Sequence, residues 1–358
     1  MLVIQLVNKS RTIKNKKTSK TNEKRPIDLI TGPTSGIGEL LISELLKKGH
    51  EVRVIVRKDP VQSGDLLKLP RGVIPYISDI TFNTTEDKEN LYEACIDVDN
   101  VFHIAGATYN SKYTFDELIN INVVGTENLL NSIVKATADN NKKVRFIFAS
   151  SVTVYGYTRK NEKLTETSKP NPMSHYSESK VMAEQVINSI CAVHLNISYT
   201  NLRFGIFYGY DYKKSFYKIF SNIYKGHGYY IGNGDNHLIF ISEYDAVRAM
   251  LAVISTDKSL NQVYNVSDGV PYTIKEIFQF VADQLGVKLP NVGIPKAIAK
   301  LGRKIINMNY DEFEFIASDR ILDISKIKKD LGFVPSSNIY KDGKNLIDLY
   351  KHEVLNIK

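Results

Sequence analysis

Ser151, Tyr176 and Lys180 bring together a hydroxyl, a phenol and an ammonium. The first stands in the run Ser150-Ser151-Val152-Thr153-Val154-Tyr155-Gly156, the other two in Tyr176-Ser177-Glu178-Ser179-Lys180. Residues four apart on a helix share one face, so Tyr176 and Lys180 would project side by side. Such a set moves protons, and it becomes useful when something else moves a hydride. For the three to meet, the serine must end a strand and the tyrosine must open a helix. The apolar run Val144 to Phe148 supplies the strand, and the stretch from about Ser174 to Leu195 supplies the helix.

The elements around them read as alternating strands and helices. Ile27 to Ile30 is a short apolar strand, followed by the turn Thr31-Gly32-Pro33-Thr34-Ser35-Gly36-Ile37-Gly38. Glu39 to Lys48 has helical spacing and stops at Gly49, and Val52 to Val56 is the next strand. This is a βαβ unit with a glycine-rich first turn. Further strands are read at Val73 to Ile77, Val101 to Ala105 and Ile197 to Phe204, with helices at Glu86 to Ile96 and about Phe115 to Thr137. The alternation predicts an α/β fold: a Rossmann-type, doubly wound parallel sheet covered on both faces. After Gly209 the elements shorten, and Leu238 to Ile241, Val263 to Val266 and Ile274 to Leu285 read as parts of a smaller C-terminal substrate-binding lobe. The expected division is a basic tail over 1–25, a dinucleotide-binding domain mainly over 26–209 and the smaller lobe mainly over 210–358.

The hydride carrier follows from that first turn. Gly32, Thr34, Ser35, Gly36, Ile37 and Gly38 let the backbone and a helix N-terminus approach a diphosphate. Arg57 and Lys58 stand at the end of the second strand, where an NAD-binding chain usually places an acid for the ribose 2′-OH. Two cations there suit a 2′-phosphate, so the expected cofactor is NADP in preference to NAD. Asp59, beside them, keeps NAD open.

The chain has 358 residues and a formal net charge of +8. Eight basic residues and one acid lie between Asn8 and Arg25, so the excess sits in the tail and the body is near neutral. The body therefore carries no electrostatic footprint for nucleic acid. Two cysteines in apolar helical patterns, Cys95 and Cys191, read as buried thiols in a reducing compartment, the cytoplasm. No run approaches a membrane span, and the short apolar start is followed rather than preceded by basic residues, the wrong order for a signal peptide.

These motifs, in this order, resemble the extended branch of the short-chain dehydrogenase/reductase superfamily, which includes the NAD-dependent epimerases and dehydratases. The resemblance rests on Thr31-Gly32 to Gly38, Ser78-Asp79-Ile80, Phe102-His103-Ile104-Ala105-Gly106, Asn122-Val123-Val124-Gly125-Thr126, the Ser151 run, Tyr176 with Lys180, and Leu202 to Gly209. Asp245-Ala246-Val247 and Val263-Tyr264-Asn265-Val266 continue it, over about residues 27 to 335. It implies that Tyr176 is the general acid/base, that Lys180 lowers its pKa and holds the nicotinamide ribose, and that Ser151 donates to the substrate oxygen. Bringing a phenol from pKa 10 to neutrality takes about 4 kcal/mol, which Lys180 and an oxidised nicotinamide would supply. Asp79 and Ile80 would flank the adenine, and Ala105 and Gly106 would let the cofactor pass closely. Asn122 would brace the sheet, and His103, inside an apolar strand, reads as a core histidine.

The departures from the family pattern narrow the reaction. The turn Thr-Gly-x-x-x-Gly-x-Gly is similar to the single-domain branch, with Ser35 where a glycine is usual and Gly36 where an apolar residue is usual. Dehydratases carry Asp-Glu after the catalytic hydroxyl residue; here Val152-Thr153 follow, which argues against water elimination. Ile206 and Leu238 stand where nucleotide-sugar members place an asparagine and a diphosphate-binding arginine. The pattern is similar to the dihydroflavonol-reductase and 3β-hydroxysteroid-dehydrogenase-like members. The expected function is NAD(P)-dependent hydride transfer at a carbonyl or secondary alcohol. Two alternatives remain: a nucleotide-sugar 4-epimerase with tightly bound NAD, to whose pattern Thr153 and the spacing of twenty-five from Ser151 to Tyr176 are similar, and a non-catalytic dinucleotide sensor. Family members often pair through the long helices that begin here near Phe115 and Ser174, which implies a homodimer. From Pro295 to Met308, Lys296, Lys300, Arg303 and Lys304 oppose Ile298, Leu301, Ile305 and Met308, an amphipathic basic helix expected over the substrate cleft in preference to a membrane surface.

Overall fold

The computed structural model describes residues 25–57, 69–108, 113–156, 162–290, 292–302, 313, 317 and 319–357. The central element is a seven-stranded sheet. Its strands are β1 (Ile27–Thr31), β2 (Glu51–Val56), β3 (Ile74–Ile77), β4 (Asn100–His103), β5 (Val144–Ser151), β6 (Ile197–Phe204) and β7 (Gln262–Val266). They lie in the order β7-β6-β5-β4-β1-β2-β3, and every pairing is parallel. This is the doubly wound order, with its reversal between β1 and β4. Ligands of such sheets bind at the carboxyl ends of the strands beside that reversal.

The helices are α1 (Gly36–Lys47), α2 (Thr85–Cys95), α3 (Phe115–Ile119), α4 (Gly125–Thr137), α5 (His175–Val193), α6 (Lys213–Tyr224), α7 (Glu243–Ile254), α8 (Ile274–Leu285), α9 (Lys296–Gly302), α10 (Ser325–Leu331) and α11 (Ile339–Glu353). One face of the sheet buries Ile30, Val54, Phe102, Ile147 and Leu202 against α1, α7 and α10. The other buries Leu29, Ile55, Val101, Phe146 and Phe148 against α2, α4 and α5. Alternate residues of one strand thus feed two cores, which is why these strands read as unbroken apolar runs. Cys95 and Cys191 are free and buried within the second core.

Several helix starts follow from their caps. Thr84 and Asp87 form a capping box on α2, Thr114 and Glu117 on α3, and Thr273 and Glu276 on α8. Ser35 caps α1, and Gly49 leaves that helix at φ 82°, a conformation glycine adopts without strain. The stretch read as one helix from Phe115 to Thr137 is α3 and α4 joined by a π-helical turn over Asn120–Val124.

A third core joins α6, α8 and α11 through Phe216, Phe220, Ile277, Val281, Leu346 and Tyr350. It is rich in aromatic edge contacts, among them Tyr217 and Phe220 on Tyr350 and Phe240 on Tyr272. The run Val263 to Val266 is not part of this assembly. It lies in β7, hydrogen-bonded to β6 at the sheet edge, because its buried face continues the main core through Tyr264 and Val266. The run Leu238 to Ile241 splits into two short strands, His237–Leu238 and Phe240–Ser242, paired with different partners.

The late basic helix differs from expectation. None of the α9 residues is buried, and Ile298 and Leu301 are 61% and 82% exposed. The face expected to dock is thus turned to solvent in the described residues; Arg303, Lys304, Ile305, Met308 and the basic tail before Arg25 lie outside them. Among the described residues no helix is long and apolar enough to cross a membrane.

Candidate active site

The glycine turn is built around one carbonyl. Gly32 O accepts the Ser35 N–H at 3.2 Å and the Ser35 hydroxyl at 2.8 Å, and Ser35 Oγ in turn accepts the Gly38 N–H at 3.2 Å. Ser35 therefore does what a glycine cannot: its side chain closes the turn and caps α1. Gly32 sits at φ 75°, and a Cβ there would lie 2.8 Å from Ala105 N. The turn is thereby pressed against the residue that follows β4 at the sheet reversal. Thr34 is exposed, whereas the Ile37 side chain is buried in the core, leaving only its backbone toward the turn. Arg57 directly follows β2 and is exposed, and Lys58 lies outside the described residues.

Asp79 and Ile80 follow β3. Asp79 Oδ1 accepts the N–H and hydroxyl of Thr81 at 3.0 and 2.8 Å, making a local turn. The Ile80 side chain is buried against Gly125 at the start of α4, and its carbonyl accepts Asn128 Nδ2 at 2.9 Å.

Tyr176 lies in the first turn of α5, which Ser174 caps by accepting the Ser177 N–H at 3.1 Å. Lys180 follows one turn later and is buried, its Nζ donating to Ala149 O at 2.9 Å and resting 4.5 Å from the Phe148 ring centre. Burial pushes the ammonium down to about 8, against the opposing pull of Glu184. A Cβ on Gly106 would lie 3.4 Å from Lys180 Nζ. Gly32 on Ala105, Gly106 on Lys180 and Lys180 on Ala149 thus form one continuous run from the glycine turn to the end of β5.

Ser151 ends β5 and caps the 3₁₀ turn Val152–Tyr155. Its Oγ accepts from Thr153 Oγ1 at 2.9 Å and from Thr153 N at 3.3 Å. With both acceptor sites engaged, its own hydrogen remains for a third partner. Ser150 points to the other face of the strand and donates to Glu184 Oε1 at 2.5 Å.

His103 is buried between two hydroxyls, with Nδ1 2.7 Å from Thr31 Oγ1 and Nε2 2.9 Å from Thr126 Oγ1. Burial first, then the Lys180 charge, push it down to about 3. It stays neutral beside the lysine and acts as a core bridge. Asn122, within the π-turn, exchanges two hydrogen bonds with the Ala107 backbone at 2.8 and 3.1 Å and donates to Ser179 Oγ at 2.9 Å. It ties the loop after β4 to the helix of Tyr176.

Thr153, which stands in sequence both where dehydratases carry an acid and as a feature similar to sugar 4-epimerases, orients Ser151. One group escaped the sequence reading. Glu184, one turn beyond Lys180, accepts Arg203 Nε and Nη2 at 3.0 and 2.6 Å as well as Ser150. Arg203 lies 4.8 Å from the Tyr155 ring centre, and Tyr155 donates to Asn265 Oδ1 at 2.6 Å. This buried chain joins α5 to β5, β6 and β7. Removing one partner would strand a buried charge, at a cost of about 3–5 kcal/mol. The acid four residues after the lysine was visible in sequence, but its strand partner was not.

A model of the NAD dependent epimerase/dehydratase family matches residues 29–267. A 3-beta-hydroxysteroid dehydrogenase from Mycolicibacterium neoaurum is 26% identical over 335 residues, covering 86% of each chain. An N-acetyl-alpha-D-glucosaminyl-diphospho-ditrans,octacis-undecaprenol 4-epimerase from Escherichia coli O157:H7 is 25% identical over 60% of this chain and 63% of its own. Among solved structures, a UDP-glucose 4-epimerase from Thermotoga maritima, with UDP-glucose, superposes with a TM-score of 0.72 at 24% identity, covering 92% of this chain and 99% of that one.

Proposed function

As the chain belongs to the NAD dependent epimerase/dehydratase family, and so to the extended short-chain dehydrogenase/reductases, we propose that it reduces an apolar carbonyl compound, or oxidises the matching secondary alcohol, with NADP as hydride carrier. The observation that carries this reading is the placement of Lys180: buried, fixed to the end of β5, beside Gly106 and one turn from Tyr176. When bound, the dinucleotide would supply or accept the hydride. The backbone of Gly32 to Gly38 would hold its diphosphate, Asp79 and Ile80 its adenine, and Lys180 its nicotinamide ribose. Ala105 and Gly106 would leave it room over the end of β4. In reduction, Ser151 donates to the substrate oxygen, Thr153 keeping that hydroxyl aimed, and Tyr176 delivers the proton. Residues 26–209 would serve the cofactor and 210–358 the substrate.

The apolar substrate is favoured by Ile206 and Leu238. Both pack onto the core formed by α6, α8 and α11. They offer neither a cation nor an amide at positions where a sugar diphosphate would need them. The Mycolicibacterium relative, named for a hydroxysteroid, fits this chemistry. The Escherichia relative and the Ser151–Thr153 arrangement favour the second reading, a nucleotide-sugar 4-epimerase. NADPH with a panel of steroid and other ring ketones, then NAD with UDP-sugars, separates the two. Net NADPH loss with the ketones supports the reductase. Sugar inversion without net cofactor change supports the epimerase, and silence in both with tight dinucleotide binding leaves a sensor.

The choice of NADP rests on Arg57. Its guanidinium can grip a 2′-phosphate with charge-assisted bonds that NAD cannot offer. Arg57→Ala is expected to weaken NADPH binding by about tenfold or more, the loss of one such bond, while NADH binding stays nearly unchanged. Fluorescence titration of both reduced cofactors measures it. An unaltered NADPH constant would return the assignment to NAD.

A further inference from the structure

The loop after the short strand Ile206–Tyr208 reaches back to the glycine turn. Its path is fixed by Glu243, the buried first residue of α7, whose carboxylate accepts the Tyr210 N–H at 2.9 Å and the Asp211 N–H at 3.4 Å. Gly209, at φ 150°, makes this possible, since a side chain there would collide with the Glu243 carboxylate. Held in this way, Asp211 and Tyr212 fall on the first two residues of α1. A Cβ on Gly36 would lie 2.5 Å from Asp211 Cβ and 2.8 Å from its Oδ2. The Tyr212 phenol lies near the Ile37 backbone, and its ring stacks on Phe207 with centres 5.4 Å apart.

We propose that Asp211 sets the affinity of this chain for its dinucleotide: its carboxylate shares the N-terminal field of α1 with the cofactor diphosphate and opposes that diphosphate's binding. The inference rests on the reading of the glycine turn as the diphosphate site. Two observations carry it independently of each other. Residue 36 lacks a side chain at the point where Asp211 fills the space, which accounts for the unusual glycine at that position. The Glu243 carboxylate holds the Tyr210 and Asp211 N–H groups, which fixes the loop at that point. A helix N-terminus attracts anions through its free N–H groups and its dipole, so a resident carboxylate partly satisfies it before the diphosphate arrives. Two like charges then face one region only partly screened by water. Because Glu243 and Gly209 position the carboxylate, the loop leading into α6 also links cofactor affinity to the part of the chain that would meet the substrate.

The test is a fluorescence titration of NADPH and NADH into the full-length chain, its Asp211→Asn and Asp211→Ser variants, and Asp283→Asn as a control on the exposed face of α8. Both Asp211 variants are expected to bind both cofactors about three- to tenfold more tightly, a gap that narrows at high salt as screening replaces the lost repulsion. Equal effects on the two cofactors place the interaction at the diphosphate rather than the 2′-phosphate. Affinity within twofold of the parent in both variants, or weaker in either folded variant, would overturn the proposal. If the parent chain binds neither cofactor, the cofactor-site reading fails first and this inference with it. Binding by the parent without response to Asp211 leaves that reading standing and removes the inference alone.

Discussion

Tyr176→Phe lowers turnover by about two to four orders of magnitude, the range that a positioned proton donor contributes. Phenylalanine keeps the ring and removes only the hydroxyl, and the helix start does not depend on it, because Ser174 and Ser177 cap α5. Dinucleotide affinity should therefore stay within a few fold, so that the loss falls on kcat. The rate profile of the parent enzyme carries a second signature. Lys180 in the free protein loses its proton near 8, its charge being fully present below that value and lost as pH rises through it. Reduction should accordingly weaken above about pH 8, as the lysine's grip on the ribose and its stabilisation of the phenolate fade. Steady-state rates with NADPH and the best ketone of the panel, across pH 6 to 10, measure both effects. A Tyr176→Phe enzyme that keeps a tenth of the parent turnover would remove the tyrosine from the mechanism.

How far this site could be read from residues alone depends on how local each feature is. The glycine turn, the Tyr176–Lys180 pair and the strand ending in Ser151 are short-range patterns, and the parallel sheet follows from their alternation. The π-turn over Asn120–Val124 carries no such pattern, and neither does the pairing of Val263 to Val266 with β6, where an apolar run names a strand without naming its neighbour. The contacts that tune the site are longer still. Glu184 meets Arg203 from the next strand, and Asp211 meets Gly36 from the far end of the domain. The glycine at 36 looked like a departure in the motif. Its cause is a side chain well outside that motif.

The glycine turn gives the second large effect. Gly38→Ala places a methyl group against the Gly32 carbonyl oxygen, with Ser35 Oγ at 3.0 Å and the Pro33 carbonyl carbon at 3.1 Å. That carbonyl is the hub of the turn, accepting both the N–H and the hydroxyl of Ser35. The methyl cannot be accommodated by a rotamer change, because the nearest obstacle is backbone, so the turn must open. The backbone that would hold the diphosphate is then displaced, and NADPH affinity should fall by about a hundredfold, about 2.8 kcal/mol at 1.4 kcal/mol per tenfold. Overpacking should also cost about 1–3 kcal/mol of stability. Gly49→Ala separates strain from site damage: it forces a side chain into φ 82° with nothing within 4 Å. The left-handed conformation alone costs about 1–2 kcal/mol, so this variant should melt earlier yet bind NADPH like the parent. Thermal melting and NADPH titration of both variants read the contrast. Near-parental binding by a folded Gly38→Ala chain would mean that the turn is a tight connection and nothing more.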